Sequence, residues 1–239
     1  MAEIRTAVIT GASRGLGRTL AQFLAAQGAD LVLTARGASA LDAAAQELAP
    51  YGRRVIALPG DVADAGHRRR MAQAADELGG LDLLVNNASI LGPSPLPALA
   101  DYPLEALEQV LEINVLAPLG LVQATLPLLR RRRGLVINLS SDAAVGGYAG
   151  WGGYGASKAA LDLFSLTLAN ELAGDGVAVV SVDPGDMRTQ MHQDAFPGED
   201  ISDRPLPEAT LPFWVWLLGQ DRAAINGKRL RAQAEVWVI

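Results

Sequence analysis

Short apolar runs alternate along this chain with longer segments of helical periodicity, and this alternation constrains the fold more than any other feature. Six runs, several of them rich in valine and isoleucine, have the pattern of strands buried on both faces. Strict alternation of strand and helix predicts an α/β fold with a parallel sheet, right-handed crossovers and helices on both faces. The predicted strands span residues 6–10, 31–34, 55–58, 81–86, 135–139 and 177–182, and the predicted helices span residues 16–27, 38–48, 65–78, 103–132 and 156–172.

The composition limits the classes of function that such a fold could serve. Half of the 239 residues are apolar, and neither a linker nor a repeat divides the chain, so we expect a single domain over residues 1–239. The chain has no cysteine and only two isolated histidines, His67 and His192, so we expect no resident metal. A net charge of −6 argues against nucleic acid and anionic membranes as partners.

The N-terminal sequence and the apolar run lengths bear on where the protein is found. The start, MAEIRTAVITG, runs directly into a strand-like segment without the pattern of a signal peptide. No segment approaches the roughly 18 uninterrupted apolar residues that cross a bilayer. The sequence therefore predicts a cytoplasmic protein.

The stretch TAVITGASRGLG reads as a strand, a glycine-rich turn and the start of a helix. Gly11 and Gly15 allow positive φ angles or the close approach of a phosphate, and Gly17 allows a helix to pack tightly against a strand. A helix N-terminus favours an anionic pyrophosphate. The spacing is G-x-x-x-G-x-G rather than the usual G-x-G-x-x-G. The prediction of a dinucleotide-type turn therefore rests on the glycines and on the helix N-terminus, and not on an exact match to the motif. A purely structural turn is the alternative.

The segment after the second predicted strand, LVLTARGASAL, bears on the choice of dinucleotide. An acidic residue at this place would bind a ribose 2′-hydroxyl, whereas an arginine accommodates a 2′-phosphate. No acid follows the strand, but Arg36 does, and Arg14 lies in the glycine turn. Guanidinium groups suit bidentate phosphate binding, so we expect NADP(H) rather than NAD(H). The alternative is that both arginines are ordinary solvated surface residues.

The stretch YGASKAAL places Tyr154 and Lys158 four positions apart where a long apolar helical pattern begins. Side chains at positions i and i+4 of a helix are neighbours, so the ammonium would lie beside the phenol or beside a ligand common to both. Such a pair suits proton transfer. A packed aromatic side chain and a solvated lysine are the alternative interpretation.

With TGASRGLG, then NNAS, then YGASK in this order, the chain resembles the short-chain dehydrogenase/reductase family, in its single-domain branch. The likeness covers nearly the whole length, and the combination of motifs is more specific than any one of them. The resemblance implies a Rossmann-type, doubly wound, mostly parallel seven-stranded sheet. It also implies an NADP(H)-dependent oxidoreductase that transfers a hydride between nicotinamide and a small carbonyl or alcohol substrate.

The resemblance also implies a role for each catalytic position. Tyr154 would protonate the carbonyl oxygen, and Lys158 and the positive nicotinamide would lower its pKa from about 10. Lys158 would also bind the nicotinamide ribose. Ser141 would hydrogen-bond the substrate oxygen, whereas Ser140 would only cap local backbone. Asn114 would hold a water that links the lysine to solvent, unless local backbone satisfies its amide.

The same resemblance implies a set of residues around the cofactor. Asp61 and Val62 would flank the adenine, Asn87 would support the adenosine ribose, and Met187 and Thr189 would lie near the carboxamide and phosphates. Asp61 could equally be a loop acid at the end of a strand. The full predicted set is Gly11, Ser13, Arg14, Gly15, Leu16, Gly17, Arg36, Asp61, Val62, Asn87, Ala88, Tyr154, Lys158, Pro184, Gly185, Met187 and Thr189.

Two departures from the family pattern bear on the pocket and on assembly. Ser89 replaces the last glycine of N-N-A-G and would narrow the nicotinamide pocket or add a hydrogen bond. Ala234 and Glu235 replace paired glycines near the C-terminus, which puts a homotetramer in doubt, whereas a homodimer through the apolar helix 156–172 is expected. The substrate pocket is predicted from residues 90–96, 143–151 and a loop at 188–207.

Two other functions remain open from the sequence. A non-catalytic NADP(H)-binding redox sensor is the first, although a sensor has no need of the tyrosine and lysine pair. A sugar-nucleotide epimerase or dehydratase is the second, although the chain has no room for the larger C-terminal substrate domain of such enzymes.

Overall fold

Seven strands form one parallel sheet in the computed structural model, which describes residues 4–239. The strand order is β3-β2-β1-β4-β5-β6-β7, and every pair of neighbours runs parallel. This order confirms the predicted α/β, Rossmann-type, doubly wound fold. The strands are β1 (Thr6–Thr10), β2 (Asp30–Ala35), β3 (Val55–Pro59), β4 (Leu83–Asn86), β5 (Leu135–Leu139), β6 (Ala178–Asp183) and β7 (Arg229–Arg231).

Helices follow the strands and cover both faces of the sheet. Four of the five predicted helices are present with boundaries shifted by up to four residues, the predicted helix 103–132 is divided into two, and the C-terminal third adds three short helices. In the described residues the α-helices are α1 (Gly15–Ala26), α2 (Ala38–Gln46), α3 (Ala65–Glu77), α4 (Leu104–Leu111), α5 (Ala117–Arg132), α6 (Gly152–Leu172), α7 (Gln190–Ala195), α8 (Leu211–Leu218) and α9 (Arg222–Ile225).

The alternation of side chains along each strand divides the core into two layers. Ile9 of β1 points to one face, where it joins a cluster with Leu24 of α1. Its neighbour Val8 points to the other face and joins a cluster with Met71 of α3 and Leu121 of α5. Full burial of one such side chain contributes about 1.5–3 kcal/mol, so the two layers hold the strands in register. Both faces of the sheet are therefore covered by packed apolar side chains.

The order of the strands reverses between β1 and β4. The chain builds β1, β2 and β3 in one direction, then returns to place β4 on the other side of β1. The loops after β1 and β4 therefore part from each other and leave a crevice at the carboxyl edge, which is the usual ligand site of such sheets. The glycine-rich turn and the NNAS segment both lie at this crevice.

The predicted helix over residues 103–132 is interrupted. Helix α4 begins at Leu104, and a π-helical turn, Glu112–Leu116, separates it from α5. Single π-helical turns inside helices are frequent at functional sites, and this one contains Asn114. The periodicity of apolar residues does not reveal one extra residue in a turn, which is why the sequence predicts a continuous helix.

The same stretch, Leu104–Arg132, is long and apolar enough to cross a membrane when judged by length and composition alone. Its side chains Leu121, Val122, Leu128 and Leu129 lie in the core cluster against the sheet. This burial is consistent with the core helix of a soluble protein.

Candidate active site

The glycine-rich turn after β1 is shaped by contacts that leave no room for side chains. Gly11 and Gly15 have φ angles of +67° and +53°, in the left-handed region that favours glycine. A Cβ atom on Gly17 would lie 2.4 Å from the Gly11 carbonyl oxygen and 2.6 Å from Asn87 Nδ2. Asn87 Nδ2 in turn donates to the carbonyl oxygens of Thr10 and Gly11, at 2.8 and 3.2 Å. The turn and the loop after β4 are thus locked together, and the first turn of α1 faces the crevice.

A cavity of about 910 Å³ runs along this crevice and has the size for a dinucleotide. Of the predicted cofactor residues, all but two line it. Gly17 lies behind the turn, and Gly185 lines a second, smaller cavity instead. Those that line the larger cavity are Gly11, Ser13, Arg14, Gly15, Leu16, Arg36, Asp61, Val62, Asn87, Ala88, Tyr154, Lys158, Pro184, Met187 and Thr189.

Two arginines that line the larger cavity have guanidinium groups without a partner among residues 4–239. Arg14 and Arg36 are both exposed, and neither guanidinium group makes a hydrogen bond or an ion pair in that part of the chain. By contrast, Arg18 beside them is held by Glu47 through a hydrogen bond of 2.8 Å from Nε. The first two are therefore available to an anionic ligand, which fits a nucleotide that carries an additional phosphate.

The loop after β3 lines the same cavity with Gly60, Asp61 and Val62. Gly60 lies against the buried ring of His67, where a Cβ would come within 2.4 Å of Nδ1. Asp61 accepts a hydrogen bond of 2.9 Å from the Ala63 amide, so it ends the strand as a loop acid, and it also lines the cavity. Val62 is buried beside it. The interpretation of Asp61 as a loop acid is therefore confirmed, and its contact with adenine stays a prediction.

Tyr154 and Lys158 are both buried at the start of α6, which begins at Gly152, four residues earlier than predicted. Lys158 Nζ donates to the Leu139 carbonyl oxygen at 2.7 Å and lies 5.4 Å from the centre of the Tyr154 ring. Burial lowers the pKa of Lys158 to about 8, although Asp162 acts to raise it. A lysine with a pKa this close to neutrality exchanges protons readily.

The pKa of Tyr154 departs from the sequence-based expectation. Burial raises the pKa of Tyr154 well above its usual value, whereas hydrogen bonds with the side chains of Ser89 and Ser141 act to lower it. In the protein alone the desolvation of the phenolate outweighs these hydrogen bonds, so the predicted fall in the pKa is absent from this state and stays a prediction for the protein with oxidised nicotinamide bound. The phenol is therefore held protonated, as a proton donor must be.

The roles of the two adjacent serines differ from the prediction in part. Ser141 Oγ accepts a hydrogen bond of 3.2 Å from the Ala143 amide and donates to Asp142 Oδ1 at 3.1 Å, so Ser141 is the residue that caps local backbone. Ser140 Oγ is buried without a partner in the described residues. The expectation that Ser140 caps backbone is therefore wrong. Ser141 lines the smaller cavity, and Ser140 lines both.

Asn114 lies in the π-helical turn and is fully buried. Its Oδ1 accepts from the Ile90 amide and from Ser89 Oγ, at 2.9 and 3.1 Å. Its Nδ2 donates to the Ile90 carbonyl and to Ser157 Oγ, at 2.9 and 3.0 Å. All four hydrogen-bonding capacities of the amide are used, so the side chain has none left to hold a water. The alternative prediction, an amide satisfied by local backbone, is met only in part, because Ile90 lies 24 residues away and the other two partners are serine hydroxyls. The side chain joins the loop after β4 to α6.

Arg229 is a site residue that the sequence gives no reason to select. Its Nη2 donates to the Ser141 carbonyl at 2.7 Å, and its Nε donates to Asp162 at 2.8 Å. It also lies 3.7 Å from Asp183, a buried carboxylate whose pKa is raised by burial. The partners are far away along the chain, so only the sheet order, which places β7 beside β6, brings them together.

The smaller cavity has a volume of about 370 Å³ and meets the larger one at Tyr154. Predicted pocket residues that line it are Leu91, Tyr148, Ala149, Trp151, Thr189, Met191, His192 and Phe196. Asp142, Asp183 and Asp186 also line it, and they are not among the pocket residues predicted from the sequence. Within residues 4–239 no group of three or more histidine, cysteine, aspartate or glutamate side chains could hold a metal ion.

The arrangement brings a buried proton donor to the junction of two cavities of different size. The larger is lined by the glycine-rich turn and by two arginines with unpaired guanidinium groups, which suit a dinucleotide, and the smaller has the volume of a small molecule. A compound in the smaller cavity would contact Tyr154 from one side, and a cofactor in the larger one would approach the same point from the other.

Comparisons with known proteins agree with this geometry. Residues 5–200 match the family model of the short chain dehydrogenases. A rhamnolipid-biosynthesis 3-oxoacyl-[acyl-carrier-protein] reductase of Pseudomonas aeruginosa is 37% identical over 232 residues, which cover 92% of this chain and 87% of that protein. A serine 3-dehydrogenase of Rhizobium radiobacter is 37% identical over 187 residues, or 77% of this chain and 73% of that protein.

Among solved structures, a short chain dehydrogenase of Escherichia coli in complex with NADPH superposes with a TM-score of 0.89. It is 31% identical, and the match covers 98% of this chain and 99% of that one.

Proposed function

The chain belongs to the short-chain dehydrogenase family, and from this premise we propose that it is an NADP(H)-dependent reductase of ketones or aldehydes that also runs in reverse as an alcohol dehydrogenase. The observation that carries the proposal is the position of Tyr154, which lines both the larger and the smaller cavity. A family member whose proton donor faces both a cofactor-sized and a substrate-sized space has the parts for carbonyl reduction.

The residues around Tyr154 have distinct tasks in this proposal. Tyr154 Oη donates its proton to the carbonyl oxygen of the substrate, and Ser141 Oγ turns from Asp142 to donate a second hydrogen bond to that oxygen. A reduced nicotinamide, when bound, supplies the hydride. Lys158, with a pKa lowered to about 8, is the group that returns a proton towards Tyr154. Asn114 acts as a positioning residue, because it fixes Ser89 and Ile90 against α6.

The cofactor assignment rests on the free cations of the larger cavity. Arg14 and Arg36 would bind the 2′-phosphate of NADP(H), the amides at the start of α1 would bind the pyrophosphate, and Lys158 would bind the nicotinamide ribose. The NADPH complex of the E. coli structural neighbour supports this assignment. The two relatives named above carry different activities, so they support the reaction class and not a particular substrate.

Replacing both arginines by alanine, in R14A/R36A, tests the choice of cofactor. We expect the KM for NADPH to rise by at least about a hundredfold, because the variant loses two charge-assisted hydrogen bonds that contribute about 1.5–3 kcal/mol each. The KM for NADH, which has no 2′-phosphate, should change by less than about twofold. Steady-state kinetics with both cofactors measure this, with Arg131→Ala, a surface arginine paired to Asp76, as the control. A wild-type preference for NADH, or equal losses with both cofactors, contradicts the assignment.

The serine that departs from the family pattern should tune the proton donor. Ser89 hydrogen-bonds Asn114 and acts to lower the pKa of Tyr154, so removing its hydroxyl raises that pKa further. Alcohol oxidation needs the deprotonated phenol. The pH at which its rate begins to increase should therefore be higher in Ser89→Gly and Ser89→Ala than in the wild type. The pH profile of alcohol oxidation measures the shift. An unchanged profile, or one displaced towards acid, shows that Ser89 has no such effect.

The general test of the proposal is a panel of ketones, aldehydes and alcohols, followed by the absorbance of reduced nicotinamide with NADPH and NADH. We expect carbonyl-dependent oxidation of NADPH. No observation on the described residues favours the non-catalytic sensor or the epimerase. An NADPH-binding protein that turns over no carbonyl and no alcohol in the panel would favour the sensor.

Assembly, location and domain count are parts of the same proposal. Leu163 and Leu166 of α6 are 63% and 46% exposed, which supports a homodimer through that helix, and sedimentation as a monomer would contradict it. A homotetramer stays in doubt because of Ala234 and Glu235.

We retain the expectations of a cytoplasmic enzyme and of one domain over residues 1–239, with the loop 188–207 as part of the substrate pocket.

A further inference from the structure

The smaller cavity has an aromatic wall that begins at Tyr154 and ends at a histidine. The ring of Trp151 lies 5.8 Å from that of Tyr154, edge to face, and 6.0 Å from that of Phe196. Phe196 in turn lies 4.9 Å from the ring of His192. Each ring in this series lines the cavity. A substrate whose carbonyl meets Tyr154 would therefore lay its apolar body along the wall, with its far end towards His192.

His192 carries a buried polar atom that the protein leaves unpaired. The side chain is only 9% exposed, and Nε2 is buried with no hydrogen-bond partner among residues 4–239. The backbone amide of His192 donates to Thr189 Oγ1 at 3.3 Å, which holds the residue at the start of α7. Buried polar atoms in proteins nearly always have a partner, so an orphan in the lining of a cavity indicates that a ligand supplies one.

The nearest carboxylate favours one form of the imidazole. Asp186 Oδ1 lies 3.8 Å from His192 Nδ1, on the opposite side of the ring from Nε2. A negative charge there favours a proton on Nδ1, which leaves Nε2 as an acceptor. The group that it binds on the substrate is then a donor, such as a hydroxyl.

The charges of the cavity restrict the substrate further. Asp142, Asp183 and Asp186 line it, and none of its lining residues is a lysine or an arginine. A substrate with a carboxylate or a phosphate would find no lysine or arginine in this lining to pair with. The volume of about 370 Å³ suits a molecule of modest size with an aromatic or alicyclic ring.

We propose that His192 is a specificity-determining residue, whose Nε2 binds a hydroxyl at the end of the substrate remote from the reacting carbonyl. The preferred substrates are uncharged, ring-bearing ketones or aldehydes with such a hydroxyl. This inference rests on the proposed carbonyl reduction for its biological meaning, but the binding preference that it predicts is measurable without turnover.

Two ketones that differ by one phenolic hydroxyl, 4-phenylbutan-2-one and 4-(4-hydroxyphenyl)butan-2-one, serve as probes. Calorimetric titration of each into the NADP⁺-loaded protein gives its dissociation constant, in the wild type and in His192→Phe. We expect the wild type to bind the hydroxylated ketone about fivefold more tightly, since one neutral hydrogen bond has a modest net effect. The His192→Phe variant should lose this preference and still bind the unsubstituted ketone as the wild type does, because the ring beside Phe196 is retained.

A second variant keeps the inference testable if the phenylalanine changes the packing. In His192→Gln the amide reaches approximately the position of Nε2, so it should restore most of the hydroxyl preference. Equal affinities of the wild type for the two ketones, or an equal loss for both in His192→Phe, overturns the inference. Selective binding together with no turnover of either ketone would uphold the subsite and count against the proposed reductase.

Discussion

Replacing Tyr154 by phenylalanine should reduce kcat/KM for carbonyl reduction by a factor of about 10²–10⁴ and leave NADPH binding almost unchanged. The factor is the typical contribution of a positioned general acid, and the substitution removes only the hydroxyl at the junction of the two cavities. The ring, its edge-to-face contact with Trp151 and the Lys158 hydrogen bond to Leu139 are retained. Steady-state kinetics and NADPH fluorescence titration of the variant measure the two quantities.

Tyr102→Phe is the matched control for this variant. Tyr102 is also a buried tyrosine, its hydroxyl has no partner within residues 4–239, and it lines neither cavity. We expect its kinetics to stay within about twofold of the wild type. An active Tyr154→Phe variant would show that another group protonates the substrate. Equal losses in both variants would show that the effect comes from the fold and not from proton transfer.

Replacing Gly17 by alanine should abolish tight NADPH binding and destabilise the protein by about 1–3 kcal/mol, the usual cost of an overpacked site. The new methyl group would lie 2.4 Å from the Gly11 carbonyl oxygen and 2.6 Å from Asn87 Nδ2. These two atoms are hydrogen-bonded to each other and join the turn to the loop after β4. Neither can move away from the new methyl group without changing the shape of the cofactor crevice. Urea denaturation and NADPH titration measure the two effects.

Gly174→Ala is the control for this substitution. No atom lies within 4 Å of the position that a Cβ would take on Gly174, and its φ is not positive. We expect this variant to bind NADPH normally and to unfold at the wild-type urea concentration or slightly above it. Normal NADPH affinity in Gly17→Ala would contradict the tight packing of the turn.

The parts of the fold that were predictable are those that depend on residues close together in the sequence. All six predicted strands lie within about two residues of their positions in the structure, because short runs rich in valine and isoleucine between helical segments are typical of buried parallel strands. Gly11, Gly15 and Gly17 mark a turn whose geometry excludes side chains, so the residue type itself carries the information. β7 was not located by residue, since three residues with two arginines have no strand-like apolar pattern.

The parts of the site that were not predictable depend on distance along the chain and on burial. Arg229 meets Ser141 across 88 residues, and no local pattern encodes that contact. The rise in the pKa of Tyr154 depends on how deeply the hydroxyl lies, a property that a motif does not contain. Ser140 Oγ has no hydrogen-bond partner in the described residues, whereas the Asn114 amide is fully hydrogen-bonded. Both properties depend on which groups lie next to the side chain in the folded protein, and no local sequence pattern contains that information.

Transfer of isotope from the cofactor tests the central claim, the delivery of a hydride to a carbonyl that Tyr154 protonates. The best carbonyl of the panel is reduced with NADPH deuterated at either one of the two positions on nicotinamide C4, and the product alcohol is analysed by mass spectrometry and NMR. The account predicts that deuterium from one of the two labelled cofactors, and not from the other, appears on the carbinol carbon of the product. Solvent hydrogen on that carbon, or no label there from either cofactor, would contradict it.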